Sequence, residues 1–131
     1  MPLAGVVDAL ERIHVSLDDG GAVVDTQPVG EHPPVFAEEG PLGTLDLREW
    51  ADIVAATDAE IMKTVEAGRF SLVGDRHIVV SDFYDDLAEL IDEAAGWAGT
   101  TVPRTLARQV DATRGEVRLD QDVRIRVLVK Q

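Results

Sequence analysis

Cysteine is absent from this 131-residue chain, which excludes disulfides, thiolate metal sites, iron–sulfur clusters and cysteine nucleophiles. Lysine is nearly absent too: two lysines stand beside ten arginines, and the net charge is −13. Binding to nucleic acid rests on many cationic contacts to phosphate, so nucleic acid is a poor default partner for so acidic a chain. Long hydrophobic runs are missing, and none of the apolar stretches approaches the length needed to cross a bilayer. The opening Met-Pro-Leu-Ala-Gly-Val-Val-Asp has no basic region and soon reaches Asp8 and Glu11, unlike a secretory signal. A soluble, cytoplasmic protein is the expectation.

What is present fits one ordinary domain: 45% hydrophobic and 28% charged residues, with enough length to bury a real core. The charge is uneven. Residues 1–103 carry five Lys/Arg against 21 Asp/Glu, whereas residues 104–131 carry seven against four, so the C-terminal segment should attract the rest of the chain. The lysine-poor acidity reads as coding bias rather than adaptation to high salt.

Leu3, Val6, Val7, Leu10, Ile13 and Leu17 recur at helical spacing and predict a helix over 3–16, stopped by Gly20-Gly21. Ala22 to Thr26 follows as a short strand, apolar on both faces as in a largely parallel sheet. Four of the six prolines and three glycines fall in 27–43, which predicts a Pro/Gly-rich loop there. Asp46 is the expected cap of a helix that carries Leu47, Trp50, Val54, Ile61 and Val65 on one face and ends at Gly68, with Thr57-Asp58 as a potential break. Phe70–Val73 and His77–Val80 flank Gly74-Asp75 and predict two strands joined by a tight turn. Ser81 or Asp82 should cap the next helix, which buries Phe83, Leu87, Leu90, Ile91, Ala94 and Trp97 and ends at Gly99. A short helix after Pro103 and strands over 116–119 and 123–130 complete the chain. In the last strand Val123, Ile125, Val127 and Val129 alternate with Arg124, Arg126, Leu128 and Lys130.

The run from Ala9 to Asp25, a helix, an Asp18-Asp19-Gly20-Gly21 turn and a buried strand, resembles the helix, Pro-Gly-Gly turn and fifth strand of class I S-adenosylmethionine-dependent methyltransferases. Asp18 and Asp19 stand where that family usually has a basic residue and proline. Asp82-Phe83-Tyr84-Asp85-Asp86-Leu87-Ala88-Glu89-Leu90, Trp97, Pro103 and the closing Val-Arg-Ile-Arg-Val-Leu are similar to the family's late region. The resemblance runs from about Val6 to the C-terminus and implies the C-terminal half of the fold without the cofactor-binding half. A single α/β domain over 1–131 is then expected, with a small mixed sheet of four to five strands, a C-terminal strand and flanking helices. The family's sheet order, 3-2-1-4-5-7-6, would leave the edge of Ala22 to Thr26 without its neighbour. An open edge invites a partner, so the chain is expected to form a homodimer or to bind a partner protein there.

No Gly-x-Gly follows a strand, so no cofactor site is expected unless a partner completes one for S-adenosylmethionine. His14, His32 and His77 are too irregularly spaced for a metal motif, and no metal site is expected. Asp82, Asp85, Asp86 and Glu89 read as acids at a helix's positive end rather than as a cation site. Ser71 and Ser81 lack a recognisable His/acid arrangement, and no catalytic residue is named. The best anion- or partner-binding candidate is the basic strand face of Arg118, Arg124, Arg126 and Lys130. Its competing explanation, pairing with the chain's own acids or a second subunit, is preferred. The functional expectation is a noncatalytic methyltransferase-like oligomerisation or interaction module. One alternative is part of a split methyltransferase. The other is an excisionase-type winged helix built from Leu47 to Ile91, whose recognition helix at 58–66 would carry one lysine against three acids.

Overall fold

The structure, a computed structural model, describes residues 3–131, with side chains from Asp8 onward. Nine elements follow one another: α1 (Leu3–Ser16), β1 (Ala22–Pro28), β2 (Pro34–Ala37), β3 (Gly40–Thr44), α2 (Arg48–Glu66), β4 (Phe70–Tyr84), α3 (Leu87–Ala94), α4 (Arg104–Ala107) and β5 (Val117–Lys130). The fold is α/β, with one five-stranded antiparallel sheet, a C-terminal strand and flanking helices. Its order is β1-β5-β2-β3, with β4 also pairing to β5. No helix among the described residues is long and apolar enough to cross a membrane.

Helix α1 occupies the expected span; the side chains of Leu3, Val6 and Val7 lie outside the described residues. Strand β1 differs from a buried parallel strand. Gly20 N–H donates to Lys130 O and Lys130 N–H to Gly21 O, so β1 runs antiparallel to β5, and its exposure alternates, with Val24 64% exposed. An antiparallel strand tolerates one solvated face.

The segment read as a Pro/Gly loop contains the β2–β3 hairpin, which pairs Ala37 with Gly40 and Pro34 with Thr44. Its prolines are compatible with strands because of where they fall. Pro34 opens β2, and Pro41 lies on β3, which pairs with β2 alone, so its missing N–H deprives no neighbour. Gly74-Asp75 is no turn either: β4 is continuous for 15 residues. A Cβ at Gly74 would make ordinary contact with the Val127 side chain, at 3.6 Å. The winged-helix alternative needs a hairpin where this single strand runs. Likewise β5 passes unbroken through Asp120-Gln121-Asp122.

Because β4 extends to Tyr84, α3 begins later than expected. Its cap is Asp86 rather than Ser81 or Asp82: the Asp86 carboxylate accepts from Glu89 N–H at 2.8 Å, and Glu89 reaches back to accept from Asp85 N–H at 2.8 Å. Phe83 consequently lies on the strand and is 60% exposed, while Leu87, Leu90 and Ala94 are buried at helical spacing. Helix α3 ends at Ala94, before Gly99.

The chain divides into two compact units. The first comprises the chain up to Gln27, Ile53–Ile78 and Arg124–Gln131. Its core is Ile61, Phe70 and Leu128, packed by Leu10, Ile13, Leu17 and Val65; His14 meets Phe70 edge-on at 5.3 Å. The second unit comprises Pro28–Asp52 and Val79–Val123. Its core joins Val35, Leu45, Leu87, Leu90, Leu106 and Leu119.

Candidate functional site

Strand β5 carries all four basic residues singled out in the sequence, and each is engaged inside its own unit. In the first unit Arg126, only 1% exposed, donates through Nε (3.1 Å) and Nη2 (2.7 Å) to Asp25 Oδ2 of β1. The same Nη2 reaches Asp58 Oδ1 of α2 at 2.6 Å. Asp58 presents its other oxygen to Arg124 Nη1 at 3.2 Å. Arg124 in turn grips Asp75 of β4 with two bonds, Nε to Oδ1 at 2.9 Å and Nη2 to Oδ2 at 2.7 Å. The result is a chain of alternating charge, Asp25–Arg126–Asp58–Arg124–Asp75, with three carboxylates on two guanidiniums.

The local reason is the antiparallel register. The ladder that pairs Gly21 with Lys130 sets Asp25 opposite Arg126, where side chains meet directly. Asp58 falls four residues after Val54 and three before Ile61, the buried residues of α2, so it shares their inward stripe. A carboxylate on such a stripe requires a paired cation. The forked guanidinium suits this bridging role better than an ammonium would. Hydrogen bonds from Arg124 hold the Asp75 carboxyl below its usual range. Arg126 Nη1 is buried with no hydrogen-bond partner among the described residues.

Lys130 is used differently: its Nζ donates to Leu17 O at 2.7 Å, closing the C-terminal end of α1, where a cation also complements the helix dipole. In the second unit Arg118 bonds Asp120 at 2.9 Å and lies 4.6 Å from the centre of the Phe36 ring. Ser81 Oγ donates to the same Asp120 oxygen at 2.7 Å. The structure thus brings Arg124 and Arg126 together through Asp58, and gives Arg118 and Lys130 separate partners.

Other titratable groups serve local structure. Two bonds from Arg48 hold Asp46 down to about 2, and Asp46 also accepts the Arg48 N–H at 3.1 Å, close to its expected place at the start of α2. Burial, then a hydrogen bond with Glu93, pushes the Tyr84 hydroxyl up. Asp86 and Glu89 are taken up in capping α3. Among the described residues, no three His, Asp or Glu gather so as to hold a metal ion.

Asp25, Asp58 and Asp75 were not singled out in the sequence, where they read as part of a strand, a helix break and a turn. A signal for Asp58 does exist, in its position on the apolar stripe of α2. Asp25 likewise interrupts an apolar strand. A scan against protein-family models finds no match for this chain, and comparison with curated proteins and with solved structures finds none either.

Proposed function

We propose that the chain is a noncatalytic interaction module that associates with a second copy of itself through an open sheet edge at Ala22 to Thr26. The observation that carries this reading is the distribution of exposed apolar side chains. Strands β1 and β4 each pair only with β5. Of six large apolar side chains exposed among the described residues, five lie on these two strands: Val24, Val73, Ile78, Val79 and Phe83. Open edges bearing β-branched and aromatic residues are templates for strand addition. The basic face of β5 supports the same reading, because its cations are neutralised by the chain's own groups.

A second reading, a methyltransferase completed by a partner chain, is favoured by strand order alone. The C-terminal strand lies between β1 and β4, as the seventh strand lies between the fifth and sixth in the methyltransferase resemblance. The β2–β3 hairpin has no counterpart in that scheme.

Calorimetric titration with S-adenosylhomocysteine separates the two readings. The module gives no heat of binding, whereas saturable micromolar binding would replace it with the enzyme. Val24→Lys tests the edge. A lysine on an edge strand opposes strand addition, so this variant is expected to sediment as a monomer with an unchanged melting profile at low concentration. Self-association equal to the parent's would remove β1 as the docking edge.

A further inference from the structure

Within the second unit, an open cup of about 420 Å³ lies beside the start of α2, a size within the ~300–1,000 Å³ range of small-molecule sites. Trp50 and Trp97 supply aromatic walls, Leu47 and Pro28 apolar surface, and Gly96 and Ala98 add little side chain. One wall is firmly held: the Trp50 indole N–H donates to Pro28 O at 3.0 Å, and its backbone N–H to Gly99 O at 3.1 Å. Leu47 is 3% exposed. Two of the lining side chains bring polar groups, the Gln121 amide and the Trp97 indole N–H.

We infer that this cup binds a planar, uncharged heteroaromatic ring that carries an amide or amide-like edge. Indole faces favour a flat aromatic partner in offset or edge-on contact. No charged residue lines the cup, so a charged ligand would lose hydration without gaining a partner. The net charge of −13 opposes an anion further. The Gln121 amide offers one acceptor and two donors, the complement of another amide. An aliphatic ligand would leave both walls without stacking, and a plain hydrocarbon ring would leave Gln121 unmatched.

The chain has two tryptophans, and both line this cup, so its two indole N–H resonances report on it directly. The ¹⁵N-labelled full chain is titrated separately with nicotinamide, nicotinate and cyclohexanecarboxamide. These probes hold ring and amide, ring without neutral amide, and amide without aromatic ring. Nicotinamide should move both indole signals saturably, with affinity on the order of millimolar for so small a ligand. Each of the other two should bind at least about tenfold more weakly, and Gln121→Leu should weaken nicotinamide by roughly three- to tenfold while leaving the melting temperature in place. No saturable shift up to roughly 50 mM nicotinamide overturns the inference. So does equal binding of all three probes, or a Gln121→Leu variant that binds as the parent does.

Discussion

Replacing Arg126 with alanine should lower the unfolding free energy by about 3–5 kcal/mol, the cost typical of removing one partner from a buried ion pair. Arg126 is 1% exposed and stands between Asp25 and Asp58. Its loss leaves two carboxylates facing one another with no cation, as well as a cavity the size of a long side chain. The total stability of a domain of this size is about 5–15 kcal/mol, so the variant would sit near the limit of folding. Arg126→Lys restores the charge without the fork and cannot bond Asp25 and Asp58 as the guanidinium does, so it should recover only part of the loss. Urea unfolding measures both variants. A loss of unfolding free energy for Arg126→Ala below about 1 kcal/mol would show the network to be no more than an exposed ion pair.

Gly99→Ala should be nearly as damaging, for reasons of backbone geometry. Gly99 has φ +66°, where an alanine costs roughly 1–2 kcal/mol. Its added Cβ would also lie 2.6 Å from Trp50 N and 2.7 Å from Trp50 Cα. These are backbone atoms of the first turn of α2, so relief requires moving the helix start and breaking the Trp50 N–H to Gly99 O bond. Overpacking of this kind adds about 1–3 kcal/mol. Gly68→Ala is the control: φ is +76° there, but nothing lies within 4 Å of the new Cβ. Calorimetric melting should show Gly99→Ala falling well below Gly68→Ala. Equal losses in the two variants would mean that the close approach to Trp50 contributes nothing.

These two positions also show what could be read from the sequence. Helix α1 was legible because its apolar period is strong and two glycines end it. Helix α2 was legible through its stripe, and its Asp58 was the informative exception, a charge where the pattern demands an apolar residue. The β2–β3 hairpin was hidden because proline and glycine counts describe composition, while strand compatibility depends on which edge each proline faces. Gly74-Asp75 has the composition of a turn, yet both residues lie inside the continuous strand β4, where Asp75 meets Arg124. Alternation along β5 separated Arg124 and Arg126 from Ile125 and Val127 correctly, but periodicity has no access to the strand opposite. The partners Asp25 and Asp75 depend on register, which only the folded sheet defines. Gly99 looks like a helix stop in the sequence for the same reason: its requirement comes from Trp50, 49 positions earlier in the chain.

Self-association must overcome the repulsion between two chains of net charge −13, so it should strengthen as salt screens that charge. Light scattering on the purified chain at micromolar concentration and physiological ionic strength reads this association as a molar mass. A molar mass twice the 14.2 kDa of one chain is expected, whereas a clean monomer under those conditions, unchanged on adding salt, would rule the association out.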